Sequence, residues 1–235
     1  KQWLLTLGDG SVALFDAVIN AMGNQHMPVM PNLPGMASFA GPSWHSANYN
    51  HAVDLRGKRV TVIGSAAAAI QIVPEVAKVA GHLTVLQRSP NWIVPRNNKP
   101  YSAFKRKLFR RFPFTLRCVQ KVQNVLMGFV HKAFLLDDNR RGLFEKLGRQ
   151  FIEKSIHDPA IRKAVMPDSM YGCKRPLVSD DFYPALNREN VRLVTSAAAS
   201  VEPDAVVTAS GERIASDVII YCTGYRVMDF DRIRV

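Results

Sequence analysis

The sequence has few cysteines and no hydrophobic run long enough to cross a membrane. Its 235 residues include only Cys118, Cys173 and Cys222, which are odd in number and far apart. They exclude a disulfide framework and lack metal-ligand spacing, so we predict no metal site and a reducing, cytoplasmic location. No apolar stretch approaches the roughly 20 residues that a spanning helix requires. With 47% hydrophobic and 21% charged residues, the composition also excludes a disordered or collagen-like chain.

One long segment lacks acidic residues. No Asp or Glu occurs between Val76 and Leu136, a window that holds 12 Lys and Arg residues. The chain has 31 basic and 19 acidic residues, so this segment accounts for the whole net charge of +12. Such a segment attracts anions: a phosphorylated cofactor, a membrane surface or a nucleic acid. Because no nucleic-acid-binding motif accompanies the charge, we expect no nucleic-acid partner.

Hydrophobic patterning predicts an α/β fold with a helical insertion. Alternation over residues 3–7 and the glycine turn after it predict a hairpin, which leads into a buried strand over 17–21. Short aliphatic runs predict further strands at 60–63, 83–86, 191–194, 205–208 and 218–221. An alanine-rich helix over about 66–80 joins the first two of these into a βαβ unit. Residues 100–166 have helical spacing, interrupted at Pro113.

The turn at Gly64 has the spacing of a dinucleotide-binding loop. Gly64 allows the tight turn after the strand, and Ala66 and Ala69 occupy the positions of the second and third glycines of G-x-G-x-x-G. Small residues are needed there because the backbone approaches a pyrophosphate, which the helix N-terminus then holds. Ser65 and Gln71 belong to the same turn and helix start, and they are further candidates for cofactor binding. The alternative is an ordinary tight βα turn.

The end of the next strand favours NADP over NAD. An NAD site offers an acidic residue to the ribose hydroxyls about 20 residues after the glycine turn. Here the strand ends in Gln87-Arg88-Ser89-Pro90, with no acidic residue nearby. A guanidinium and a hydroxyl suit a 2′-phosphate. The alternative for Arg88 is a solvated surface charge.

Four motifs together resemble those of the class B flavin-dependent monooxygenases, which include Baeyer–Villiger and N-hydroxylating enzymes. The family fingerprint F-x-G-x-x-x-H-x-x-x-W/Y is matched at Phe39, Gly41, His45 and Tyr49. The other three motifs are LQRSPNW at 86–92, YGCKRP at 171–176 and the strand ending in CTGY at 217–225. Tyr at position 49 departs from the Trp of the Baeyer–Villiger fingerprint and also occurs in N- and S-oxygenating relatives.

The resemblance implies a domain organisation. In that family an FAD-binding fold is interrupted by an NADPH-binding fold. Residues 1–57 correspond to the end of the first FAD-binding part, and residues 226–235 to the return to it. Residues 58–99 and 167–225 correspond to a Rossmann-like NADPH-binding domain, with residues 100–166 as a basic helical insertion. The FAD-binding G-x-G-x-x-G is missing from the sequence, so we expect an internal fragment with an incomplete FAD site.

The resemblance also implies roles for individual residues. It places Lys174 with Arg88 and Ser89 around the 2′-phosphate, and Arg175 near the flavin, where its charge stabilises developing negative charge. It adds Thr223 and Gly224 to the cofactor-binding residues. It gives Phe39, Gly41, His45 and Tyr49 a part in a hinge between domains. From the residues alone, the pair of cations at 174 and 175 is equally well an exposed basic pair before a proline.

The expected function is that of an NADPH- and FAD-dependent monooxygenase. It would insert one oxygen atom of O₂ into a small organic substrate, with Baeyer–Villiger conversion of a ketone to an ester or lactone favoured over N- or S-oxygenation. Two alternatives belong to other classes. The chain is an NADP-binding module without turnover, or residues 100–135 lie on an anionic membrane and the protein is membrane-associated.

Overall fold

The structure, a computed structural model, describes residues 2–19, 21, 23, 25–136 and 138–227. These fall into two compact units, one formed by residues up to 29 with those from 225 onward, the other by Met30–Gly224. Residues 30–57, which the resemblance groups with residues 1–29, therefore lie in the unit that contains the βαβ unit. Of the predicted return to an FAD domain at 226–235, residues 228–235 lie outside the described residues.

The elements follow in chain order. The strands are β1 (Trp3–Thr6), β2 (Val12–Phe15), β3 (Met27–Pro28), β4 (Ser43–His45), β5 (Arg59–Ile63), β6 (His82–Leu86), β7 (Ile93–Val94), β8 (Leu177–Val178), β9 (Val191–Val194), β10 (Ala198–Glu202), β11 (Ala205–Thr208), β12 (Arg213–Ala215), β13 (Val218–Tyr221) and β14 (Tyr225–Arg226). The helices are α1 (Ala69–Val79), α2 (Ala103–Arg111), α3 (Pro113–Leu136), α4 (Asp138–Ser155), α5 (Pro159–Val165) and α6 (Phe182–Leu186).

The first unit contains the predicted hairpin but not the strand expected after it. β1 and β2 pair antiparallel with Leu4 opposite Leu14, and β3 pairs with β14. Residues 17–19 form no strand, and Ile19 is 91% exposed. The prediction of a buried strand over 17–21 is therefore wrong for the described residues. A strand needs a neighbour for its backbone hydrogen bonds, and no described strand pairs with this segment.

A five-stranded parallel sheet organises the second unit. Its strand order is β4-β13-β5-β6-β9, and in the centre Val62 on β5 lies between Val85 on β6 and Ile220 on β13. Strands buried on both faces are apolar almost throughout, which is why the sequence patterning located them. One face packs against α1, α6 and part of the insertion, while the other packs against the antiparallel sheet β10-β11-β12.

The helical insertion predicted at 100–166 is confirmed. It comprises α2 to α5, and Pro113 separates α2 from α3 as expected. Ile152 and Ile156 near the end of α4 are fully buried in the core of the parallel sheet, so this part of the insertion is docked on it. In the described part of the chain, no helix has the length and apolarity needed to span a membrane.

A partly exposed charged pair joins the beginnings of two neighbouring strands of the sheet. Asp217, just before β13, accepts hydrogen bonds from the backbone N–H of Arg59 at 2.8 Å and from its guanidinium at 2.6 Å. These contacts lower the pKa of Asp217 to about 2. The pair aligns the first residues of β5 and β13. Because the two strands are parallel, their carboxyl ends are aligned as well.

We predict that Asp217→Asn lowers the free energy of unfolding at pH 7 by about 1 kcal/mol, a value reduced because the pair is partly solvated. Since the pKa of Asp217 is lowered in the folded state, its contribution is present above about pH 4 and is lost as the pH falls toward 2. Urea unfolding from pH 2 to pH 7 should show a flatter profile for the variant. Asp54→Asn, which breaks an exposed pair with Arg56, is the control. Equal effects of the two substitutions would contradict a stabilising role specific to the pair of Asp217 and Arg59.

Candidate functional site

The candidate site is the edge of the parallel sheet where four neighbouring strands end. β4 ends at His45, β13 leads into residues 222–224, β5 leads into Gly64, and β6 leads into residues 87–89. Because these strands are parallel, their carboxyl ends lie side by side. Open α/β sheets bind their ligands outside this edge. Of the fifteen predicted site residues, most follow one of these four strand ends.

Gly64 lies where no side chain fits. Its φ of +112° is a conformation that glycine adopts readily. A Cβ at this position would lie 2.4 Å from the carbonyl oxygen of Cys222, which is closer than atoms can approach. The Gly64 N–H donates to the carbonyl of Leu86 at 2.9 Å. The turn is thus held between the two neighbouring strands, β13 and β6.

The start of α1 carries small side chains. Ala69 is fully buried against the sheet, whereas Ala66 is exposed in front of the helix. A larger residue at 69 would push the helix off the sheet, and a larger residue at 66 would cover the helix start. Gln71 is exposed, and its Nε2 donates to the carbonyl of Ala67 at 2.8 Å. The first residues of the helix therefore carry no large side chain that would cover its positive end.

Three sequence motifs meet at Ser89. The Nζ of Lys174 donates to the Oγ of Ser89 at 3.0 Å, and the Oγ of Ser65 donates to the Ser89 carbonyl at 3.5 Å. Lys174 and Ser89 are 85 residues apart in sequence. Arg88 and Arg175 are their chain neighbours, and both have exposed side chains. The structure thus brings a hydroxyl, an ammonium group and the glycine turn together, with two guanidinium groups on adjacent residues.

The first half of the fingerprint packs against β13. Phe39 contacts the core between the parallel and antiparallel sheets. A Cβ on Gly41 would lie 2.3 Å from the carbonyl oxygen of Asp217. Phe39 and Gly41 are therefore held by close packing near the amino end of β13. Most of the other candidates lie at the opposite, carboxyl edge of the sheet.

The second half of the fingerprint reaches the carboxyl edge. His45 is buried, its Nδ1 accepts a hydrogen bond from the Ala47 N–H at 3.1 Å, and its ring interacts with the backbone of Gly224. Burial lowers the pKa of His45, so the ring is neutral at pH 7. Tyr49 packs edge-to-face on Trp44, with ring centroids 5.6 Å apart. His45 thus connects β4 to the turn that follows β13.

Ser46, which follows β4, and Cys222, which follows β13, also interact with each other. Neither was a predicted site residue. Burial raises the pKa of the Cys222 thiol to about 12, and the neighbouring Ser46 side chain lowers it in part. The thiol therefore stays protonated and is no nucleophile. Ser46 was detectable as the neighbour of the fingerprint histidine. Among the described residues, no group of three or more His, Cys, Asp or Glu side chains could hold a metal ion.

Thr223 and Gly224 form the turn between Cys222 and the end of the unit. Gly224 has a φ of +86°, and Thr223 is half-buried beside it. Since the turn follows the central strand β13, it lies between the Gly64 turn and the end of β4. Both predicted residues are thus at the edge where the other candidates gather.

Comparison with known proteins gives a family match over almost the whole chain. The family model described as "Flavin-binding monooxygenase-like" matches residues 2–231. A Baeyer-Villiger monooxygenase from Streptomyces coelicolor is 36% identical over 214 residues, which are 91% of this chain and 41% of that protein. A Baeyer-Villiger monooxygenase from Pseudomonas aeruginosa is 37% identical over 232 residues, 97% of this chain and 43% of that protein. The chain spans less than half the length of these curated relatives.

Solved structures agree with this match. The crystal structure of OTEMO in complex with FAD and NADP superimposes with a TM-score of 0.82 at 28% identity. The match covers 99% of this chain and 52% of that one. The mixed α/β architecture around a parallel sheet is therefore the architecture found in such enzymes.

The buried state of His45 predicts a pH dependence of stability. Because its pKa is lowered in the folded state, protons bind the unfolded chain more readily, and stability falls as the pH drops below about 6.5. We expect His45→Gln, which cannot titrate, to remove this loss between about pH 6.5 and pH 5. Urea unfolding of both proteins between pH 5 and pH 8 measures it. Parallel pH profiles would show that His45 is not the group responsible.

Proposed function

The chain belongs to the flavin-binding monooxygenase-like family, and we propose that it is the NADPH-binding part of an FAD-dependent monooxygenase of the Baeyer–Villiger type. Such an enzyme inserts one oxygen atom of O₂ next to the carbonyl of a small organic ketone. The observation that carries the proposal is the contact between Lys174 and Ser89, because it joins two family motifs at the sheet edge beside the Gly64 turn. The names of the two relatives support the type of reaction.

The residues at the edge fit a dinucleotide. The Gly64 backbone leaves no room for a side chain, and Ala66 leaves the start of α1 uncovered. Backbone N–H groups at a helix start bind phosphate well because their partial positive charges add. We assign the pyrophosphate of NADPH to this position, with Ser65, Ala69 and Gln71 shaping the turn and the first turn of the helix.

The 2′-phosphate is assigned to Lys174, Ser89 and Arg88. An ammonium group and a hydroxyl at 3.0 Å from each other can contact the same dianion. Arg88 precedes Ser89 with its side chain in solvent, where it can turn toward the same phosphate. The strand end that carries these residues has no carboxylate to hold the ribose hydroxyls of NAD, so the site discriminates by charge.

By family likeness, the residues present form only part of a flavin site. The FAD-binding G-x-G-x-x-G does not occur in the sequence. We assign residues 1–57 and 226–235 to the flavin domain by family likeness. When bound, NADPH and FAD supply hydride transfer and oxygen activation. Arg175, one residue after Lys174, is the cation that would stabilise negative charge on the flavin side.

We predict that the chain binds NADPH more tightly than NADH, and that Lys174→Ala and Arg88→Ala each lower NADPH affinity ten- to a hundredfold. Loss of one charge-assisted hydrogen bond costs about 1.5–3 kcal/mol. NADH affinity should stay nearly unchanged, since NADH has no 2′-phosphate. Calorimetric titration measures both affinities.

Lys78→Ala, at the opposite end of α1, is the matched control for charge and should leave both affinities unchanged. Equal affinity of the unmodified chain for the two nucleotides would contradict the assignment. If the protein binds NADPH but does not oxidise a ketone, the result would favour an NADP-binding module without turnover. Oxidation of an amine or sulfide instead would identify the N- or S-oxygenating type.

A second proposal concerns the basic segment, which we infer contacts anionic membrane surfaces. Phe104 on α2 is 74% exposed and Phe114 on α3 is 62% exposed. Arg110 and Arg111 lie between them in sequence, in a window without acidic residues. Exposed aromatic rings among cations are typical of helices that lie in a membrane interface.

Vesicles that contain phosphatidylserine should sediment the chain, and vesicles of phosphatidylcholine alone should not. Reversal of the two charges, Arg110→Glu with Arg111→Glu, should abolish sedimentation. Reversal at Arg162 and Lys163 on α5 is the control. Absence of binding to the anionic vesicles would overturn the membrane proposal without affecting the nucleotide assignment.

A further inference from the structure

Helix α4 of the insertion holds the loop that carries Lys174. We propose that Glu145 and Phe144 are positioning residues that act through Tyr171 to hold Lys174 against Ser89, and thereby set the preference for NADPH over NADH. The inference rests on the proposed function, because it requires that Lys174 binds the 2′-phosphate. It assigns the insertion a part in cofactor selectivity.

Tyr171 is the anchor of the loop. Its side chain is 4% exposed, and its ring stacks on Phe144 with centroids 5.4 Å apart and planes inclined by 12°. Its backbone N–H donates to the Oε1 of Glu145 at 3.0 Å, a charge-assisted bond. Both contacts come from adjacent residues of α4, so the helix fixes the ring and the backbone of Tyr171 together.

Trp92 connects this anchor to the strand end that carries Ser89. Its side chain is 2% exposed, its Nε1 donates to the carbonyl of Ser169 at 2.8 Å, and its ring lies 5.8 Å from that of Tyr171. Its own carbonyl accepts from the N–H of Leu177 at 2.8 Å. The segment 169–177 is therefore tied at both ends to the residue three positions after Ser89.

The same helix also contacts Trp92. A Cβ at Gly148 would lie 2.8 Å from a ring carbon of Trp92, so α4 lies directly on the indole. The guanidinium of Arg149 lies 5.6 Å from the centroid of the Trp92 ring. One face of α4 thus packs on the two aromatic residues that flank the contact between Lys174 and Ser89.

A short turn transmits the position of Tyr171 to Lys174. The two residues are joined by an isolated β-bridge, and the N–H of Cys173 donates to the carbonyl of Met170 at 3.2 Å. The Lys174 side chain itself is exposed. Its location is therefore determined by the backbone of the turn, and a shift of Tyr171 moves the ammonium group away from Ser89.

The test is a double-mutant cycle in this chain, with NADPH and NADH affinities measured by calorimetry. We expect Glu145→Ala to lower NADPH affinity five- to tenfold and to leave NADH affinity unchanged. In the Lys174→Ala background the same change should have no further effect, because the group that it positions is gone. Glu145→Gln, which keeps an acceptor oxygen, should retain most of the selectivity.

Glu153→Ala is the matched control, an exposed glutamate two turns further along α4. Phe144→Leu, which keeps apolar bulk but removes the stacked ring, is a second variant and should lower selectivity in the same way. Circular dichroism confirms that each variant is folded. Additive losses in the cycle, or equal losses for both nucleotides, would overturn the positioning role. An unmodified chain that does not distinguish NADPH from NADH would instead overturn the proposed function itself.

Discussion

The close approach of the Gly64 backbone to the carbonyl of Cys222 brings together the parts of the candidate site. β5 and β13 are 158 residues apart at the pair that aligns them, Arg59 and Asp217. Because they are parallel neighbours in register, the turns that follow them must share one small space. Only a residue without Cβ fits there, so the position of the helix start and of the 222–224 turn follow from one packing constraint.

Two further contacts place polar side chains beside the Gly64 turn and the 222–224 turn. His45 interacts with the turn at Gly224 from one side, and Lys174 donates a hydrogen bond to Ser89 from the other. The first contact comes from the edge strand β4, and the second from a loop held by the insertion. Neither contact lies within the βαβ unit. We propose that the edge gains part of its selectivity for a charged ligand from Lys174, a cation that lies outside the βαβ unit.

Elements formed by neighbouring residues could be predicted from the sequence, whereas contacts between residues far apart in the chain could not. β5, α1 and β6 were predictable because strands buried on both faces are apolar in most residues and the helix between them is short. The prediction of a buried strand over 17–21 was wrong for the described residues. An apolar run forms a buried strand only where another strand pairs with it. The predicted strand at 205–208 exists, but local pattern did not show that it lies in a separate antiparallel sheet. Lys174 was placed beside Ser89 only by family likeness, since no local rule joins residues 85 positions apart. Glu145 had no sequence signal at all.

We propose that the carboxyl edge of the sheet binds NADP, with its 2′-phosphate at Lys174 and Ser89. Phosphorus-31 nuclear magnetic resonance of NADP⁺ titrated with the chain tests it most directly, because the 2′-phosphate and the pyrophosphate give separate signals. Both signals should shift on binding, and in Lys174→Met the 2′-phosphate signal should lose most of its shift while the pyrophosphate signal keeps its own. A pyrophosphate shift with an unmoved 2′-phosphate signal in the unmodified chain would contradict the account.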